Sequence, residues 1–274
     1  MPTNKQRREA AQRHLQRQLE RRAELARKRR RNLGILLTAI AVVVVVGAAL
    51  LITGVFQDDD TEAAADPSAS SSAATATNAD GTVSCTYTPD ESGNPSLQDV
   101  GTPPNPEATP AQGTTALLMS TTQGDLTLTL DRAKAPCAAA SFTYLAEQGF
   151  FDGSPCHREV NQPTFGVLQC GDSSGTGTGG PSYKYAEEVT PETTYPRGTI
   201  AMAKSSAPAS TGSQFFLCFT DTQLSPDYTA VGTVDEAGLA VLDKVAAGGI
   251  EGVGPEGDGA PSIPVTIESM TVVP

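Results

Sequence analysis

Along TTALLMSTTQGDLTLTL, residues 114–130, Leu126, Leu128 and Leu130 alternate with threonines. A period of two sends these leucines to one face of a strand, and the Gly124-Asp125 step predicts the turn of a hairpin. The period then changes. Phe142, Leu145 and Ala146 share one helical face, Pro136 suits the first turn, and Gly149 can close the helix in the left-handed conformation. Short apolar runs predict strands over 156–160, 167–171, 198–203, 214–219 and 229–234. A second helix fits GLAVLDKVAAGG, where Leu239, Leu242 and Val245 recur at three-residue steps, and IPVTIESMTVV reads as a last strand. Many short strands with two helices and few long apolar runs predict a mostly β domain, a closed and mostly antiparallel barrel rather than a doubly wound parallel sheet.

A different pattern precedes this domain. Leu33 to Phe56 is 24 residues without a charge, long enough to cross a ~30 Å hydrocarbon core at about 1.5 Å per residue. Arg27-Lys28-Arg29-Arg30-Arg31 abuts one end and Asp58-Asp59-Asp60 follows the other, which predicts one transmembrane helix with a cytoplasmic N-terminus. A cleaved signal peptide is the alternative, helped by Ala63-Ala64-Ala65, although the run exceeds the usual apolar core of ~7 to 15 residues. The expected organisation is a basic cytoplasmic segment (1–32), the membrane helix (33–56), a disordered linker (57–82), an irregular extension (83–112) and a compact domain (113–274). The linker has no aromatic and almost no branched apolar side chain to bury. The extension brings Cys85, Tyr87 and several prolines.

Charge follows the same division. Twelve of the 19 basic residues lie in 1–32 beside three acidic ones, so that segment carries +9 and the rest −21. Its natural partner is the anionic inner leaflet, and it has no groove-reading motif for nucleic acid. Five cysteines in an exported chain leave at least one thiol unpaired within it.

One run could carry chemistry by itself. GDSSGTGTGG, residues 171–180, contains both G-x-S-x-G and G-x-G-x-x-G. A nucleophilic serine needs a base and an immediate helix. Only His14 and His157 exist, His14 is expected across the membrane from Ser173, and the segment after Gly175 runs through glycines to Pro181. A dinucleotide loop also needs the helix. No Cys-x-x-Cys or histidine pair suggests a metal. The run reads best as a tight glycine loop.

The blocks around it carry more. GFFDGSPCHREV, VLQCGD, GTGTGGPSY, PRGTIAMA, TGSQFFLCF and YTAVGTV, in this order and spacing, resemble the cyclophilins, the peptidyl-prolyl cis-trans isomerases, over roughly residues 116–272. The resemblance implies an eight-stranded antiparallel barrel with a helix over each end. It implies isomerase activity on proline-containing polypeptides without cofactor or metal, with Arg158, after Cys156-His157, as the catalytic donor. Gln169 in LeuGlnCysGlyAsp and Gln214 in Gly-Ser-Gln-Phe-Phe would hold the substrate backbone, and Phe216 would floor the proline pocket. Val167, Met202 and Ala203 would add walls. His157 and Glu159 alternate to the other strand face, which predicts a structural histidine and an Arg158 not neutralised by Glu159.

The physical case for such residues is direct. Rotation about X-Pro is blocked by amide resonance, a barrier of ~18 to 20 kcal/mol, and no covalent step is needed to lower it. A dry pocket that holds the ring, with a fixed donor aimed at the prolyl nitrogen as the bond twists, is sufficient. Arginine suits the task because it stays charged and offers a planar fork.

The chain also departs from the family. Between Arg158 and Gln169 it carries NQPTFG, leaving either Phe165 to swing in or a thinner wall at Gly166. Lys204 replaces an asparagine. The family's tryptophan is missing, with Leu224 in its neighbourhood and Tyr228 where histidine is common, so weak cyclosporin binding is expected. Cys156 and Cys170, on what would be neighbouring strands, are expected to form one disulfide, Cys85 and Cys137 a second, and Cys218 a buried free thiol. The expected protein is a monomeric, membrane-anchored, extracytoplasmic isomerase acting on exported proteins, and the alternative is a non-catalytic proline-peptide-binding module on the same fold.

Overall fold

A computed structural model of the chain describes residues 77–254 and 257–273. The basic segment, the expected membrane helix and the linker as far as residue 76 lie outside the described residues. Among the described residues no helix is long and apolar enough to cross a membrane.

Ten strands form one sheet: β1 (Thr114–Thr121), β2 (Gly124–Asp131), β3 (Arg158–Gln162), β4 (Phe165–Cys170), β5 (Thr199–Met202), β6 (Phe215–Cys218), β7 (Ala230–Val234), β8 (Ile250–Glu251), β9 (Asp258–Pro261) and β10 (Ile267–Val273). Their order is β8-β9-β3-β4-β6-β5-β7-β2-β1-β10, antiparallel throughout. Two helices, α1 (Pro136–Glu147) and α2 (Glu236–Gly248), complete the domain. The strand expected over 156–160 begins two residues late. Residues 153–156 bond instead to the segment entering β10, with Gly153 N–H donating to Ile267 O at 2.7 Å and Cys156 N–H to Val265 O at 2.8 Å.

Alternation decides what each strand buries. Leu126, Leu128 and Leu130 on β2 are sealed from solvent with Leu117 and Met119 on β1, while the threonines between the leucines face outward. The hairpin turn lies two residues earlier than expected, at Thr122-Gln123, because Thr121 Oγ1 donates to Gly124 O at 2.6 Å and closes the pair Thr121–Gly124. Helix α1 lays Phe142, Leu145 and Ala146 on the same core, where the Phe142 ring meets Phe151 and Phe215 at 5.1 and 4.8 Å. Phe142 and Leu145 each contribute about 1.5–3 kcal/mol of burial. Gly149 follows α1 at φ 66°, where a side chain would be strained. Helix α2 starts two residues before the expected Gly238, since Asp235 accepts from the Gly238 N–H at 2.9 Å and caps the first turn.

The extension is built into the domain. Thr82–Val83 pairs with Thr109–Pro110, Thr88–Pro89 with Tyr183–Lys184, and Leu97–Gln98 runs parallel to Gly180–Pro181. Cys85 is disulfide-bonded to Cys137 at the start of α1, and Tyr87 Oη donates to Cys137 O at 2.9 Å. The expected linker is corrected at its end: residues 77–82 form a turn, with Asp80 Oδ1 accepting from the Thr82 N–H at 3.1 Å and Gly81 N–H donating to Asn78 O.

Candidate active site

Four adjacent strands bring the site together on one rung. In register, Arg158 of β3 faces Gln169 of β4, Gln169 faces Phe216 of β6, and Phe216 faces Ala201 of β5. Cross-strand partners share a face, so the four side chains line up on the side of the sheet away from the main core. A parallel rung two residues along holds Val160, Val167 and Cys218. These residues, with Tyr195, form a second apolar cluster against which Phe165, Ala203, Leu224, Tyr228 and Ala230 pack.

The same alternation corrects one expectation. Met202 is not a groove wall: it lies between Ala201 and Ala203, points to the opposite face and is buried in the main core opposite Phe215. Phe165 takes the place left open. It shares a face with Val167 and Gln169, whereas Gly166 faces inward, where a Cβ would come within 2.7 Å of the Phe219 ring.

Around Phe216 the walls are aromatic. Its ring meets Tyr228 edge-on at 5.6 Å and Tyr195 at 6.3 Å. Tyr195 Oη accepts from the Tyr228 N–H and donates to Tyr228 O, both at 2.9 Å, so it fixes the loop that carries Tyr228. Tyr195 was not singled out from the sequence, and its only local signal is an aromatic residue ahead of Pro196 and strand β5. Cys218 lies beneath, sealed from solvent, and burial pushes its thiol up to about 12.

A polar chain crosses the rim. Arg158 Nη1 donates to Gln169 Oε1 at 3.1 Å, Gln169 Nε2 to Gln214 Oε1 at 2.9 Å, and Gln214 Nε2 to the carbonyls of Gly177 and Gly179 at 3.1 and 3.0 Å. The glycine run therefore ends this relay. Its turn is held by Asp172, fully buried, which accepts from Ser174 N–H and Oγ at 2.7 Å. Those bonds keep the Asp172 carboxyl below its usual range despite burial, which opposes them. Ser173 Oγ is buried with no hydrogen-bond partner, so no base activates it as a nucleophile.

Arg158 has a partner that sequence reasoning missed. Its Nε donates to Asp258 Oδ2 at 2.6 Å, from a residue 100 positions away on β9. The hydrogen bond to Arg158 holds the Asp258 carboxyl below the ordinary carboxylate range. Glu159 faces inward, fully buried and raised by that burial, and Asn161 donates to its Oε1 at 3.2 Å. Burial also lowers the His157 pKa, which keeps the imidazole neutral near pH 7. Lys204 Nζ lies 3.7 Å from Glu187 Oε1, and Glu187 also accepts from the Ala209 and Ser210 N–H groups, tying down the loop beyond Ala203.

One disulfide, Cys156–Cys170, staples the strands next to the Arg158–Gln169 pair. The arrangement offers an apolar cluster around Phe216 and a guanidinium on the same rung. It contains no activated nucleophile. Such a site can hold a ring and donate hydrogen bonds to a peptide.

Comparison with known proteins points the same way. A family profile, cyclophilin type peptidyl-prolyl cis-trans isomerase/CLD, matches residues 116–272. A protein of Mycobacterium leprae named probable peptidyl-prolyl cis-trans isomerase B is 48% identical over 98% of this chain and 99% of its own length. Its namesake in Mycobacterium tuberculosis is 43% identical over 59% of this chain and 54% of its own. The crystal structure of a Cryptosporidium parvum cyclophilin type isomerase superposes with TM-score 0.52 at 25% identity, over 59% of this chain and 99% of that one. The same protein in the presence of the dipeptide Ala-Pro gives 0.51 at 26% identity, over 58% of this chain and 99% of that one.

Proposed function

The chain belongs to the cyclophilin-type peptidyl-prolyl cis-trans isomerases and is an enzyme of that activity, and from this premise we propose that it acts on exported polypeptides at the outer face of a membrane, with Arg158 as the donor. The rung Arg158–Gln169–Phe216–Ala201 carries the reading. A proline ring on Phe216 places its nitrogen toward the guanidinium edge. As the X-Pro bond twists, resonance is lost and the nitrogen lone pair becomes an acceptor, so the Arg158 bond strengthens only near the transition state. Gln169 and Gln214 hold the flanking backbone, and Phe165, Val167, Ala203, Leu224 and Tyr228 exclude water. No bond to the enzyme forms.

Anchoring is supported by Leu33 to Phe56, uncharged between a basic and an acidic flank. An oxidising compartment is supported by two disulfides. We also read the sheet as an eight-stranded barrel, closed where residues 153–156 bond to 265–267. The test is the catalysed cis-to-trans rate of an Ala-Pro-Phe peptide with the full chain in detergent. Arg158→Ala should lower kcat/KM by about 100-fold with the fold intact. Undiminished turnover in that variant would refute the donor role.

A further inference from the structure

The sequence directs attention to Arg158 itself, but the side chain that holds Arg158 comes from the far end of the domain. Asp258 opens β9, opposite Val160, which makes it a diagonal neighbour of Arg158 on the same sheet face. Diagonal partners lie within reach of long side chains. The bond, from Nε to Asp258 Oδ2 at 2.6 Å, joins groups whose side chains are only 30% and 24% exposed.

We propose that Asp258 is a positioning residue for the isomerase reaction, fixing the plane of the Arg158 guanidinium. This inference rests on Arg158 being the donor. An arginine side chain has many rotamers, and a single hydrogen bond at Nη1 to Gln169 sets a direction but leaves the group free to turn about it. A second bond on the Nε edge removes that rotation. Of the five N–H groups of a guanidinium, the two bonds to Asp258 and Gln169 use two. The three that are left sit on Nη1 and Nη2, the outer end of the fork. Asp258 therefore selects which edge meets the substrate. Donation diverges from Arg158, to the Asp258 carboxylate on one side and through Gln169 and Gln214 to the Gly177 and Gly179 carbonyls on the other, so the network is braced by a carboxylate at one end and backbone at the other.

The test compares Asp258→Ala, Asp258→Asn, Arg158→Ala and the Arg158→Ala/Asp258→Ala double variant as full chains in detergent, by kcat/KM on the Ala-Pro-Phe peptide and by thermal melting. A loose donor should cost about 10-fold in Asp258→Ala, carried mainly by kcat. Asparagine keeps an acceptor oxygen of the same reach and should restore turnover to within about 3-fold of the parent. In the Arg158→Ala background, Asp258→Ala should cost nothing further, because there is no guanidinium left to position. A purely structural role would move melting and lower the double variant as well, and that result overturns the inference. Unchanged activity in Asp258→Ala also overturns it while leaving the donor role intact if Arg158→Ala is impaired. Faster turnover in Asp258→Ala would show a carboxylate competing with substrate, and fails it too. If Arg158→Ala turns over normally, the donor role falls and this inference falls with it.

Discussion

Helix α1 is capped from outside its own sequence, and that cap should make the protein's stability depend on pH in a defined direction. Glu188 Oε1 accepts from the Cys137 N–H at 3.0 Å and Oε2 from the Ala138 N–H at 2.8 Å. Burial pushes the carboxyl up from 4.5 to about 7, and the two N–H bonds only partly oppose it. A raised acid favours the fold while it is protonated. Its contribution is full below the unfolded value near 4.5 and disappears as pH rises through about 7. Between about pH 5 and about pH 8 those two values give a loss on the order of 2–3 kcal/mol. Glu188→Gln removes the titration while keeping one acceptor. Urea unfolding of both full chains in detergent, followed by circular dichroism, gives the difference in stability at each pH. That difference, parent minus variant, should fall by roughly 2–3 kcal/mol from about pH 5 to about pH 8. Glu159, raised by burial, and His157, lowered by burial, titrate in both chains and cancel in the comparison. A difference that does not change with pH, or that grows as pH rises, would refute the assignment.

Other perturbations test the groove and its supports. Phe216→Ala should cost about 3 kcal/mol of stability and raise KM, and a KM equal to the parent's would remove Phe216 from the pocket floor. Replacing Cys156 and Cys170 by serine opens a short loop and should cost about 3 kcal/mol on the chain-entropy account, read as a lower melting temperature under non-reducing conditions. Cys218, buried and held in the thiol form, should resist iodoacetamide until urea unfolds the chain, and labelling at the native rate would contradict its placement. Cyclosporin should bind weakly, since the chain has no tryptophan and Leu224 and Tyr228 supply that rim of the pocket. Tight binding by calorimetry would refute this.

Much of the site was legible because strand chemistry has a period of two. Once Gln169 and Phe216 are on adjacent strands, the alternation that sends Leu168, Leu217 and Ile200 inward also sends Val167 and Ala201 outward. Met202 could have been rejected on that ground alone: Ala203, its neighbour, is on the groove side, so Met202 cannot be. The glycine loop was legible only through its neighbours. Nothing in GDSSGTGTGG says that Gly177 and Gly179 offer carbonyls to Gln214, because glycine has no side chain by which such a role could be written.

Asp258 and Tyr195 were not legible, and for a physical reason. Around Asp258 the sequence reads EGVGPEGDGAP, with no period of two to announce a strand. Its β9 exists because its backbone pairs with β3 on one side and β8 on the other. A residue placed by backbone pairing needs no pattern of its own. The local sequence must only avoid blocking the pairing, which Gly259 does well: a Cβ there would meet the Glu251 carbonyl at 2.3 Å. The glycine beside Asp258 is thus the trace that β9 leaves in the sequence. It lets β8 approach β9 closely, and it becomes readable only when the partner strand is known.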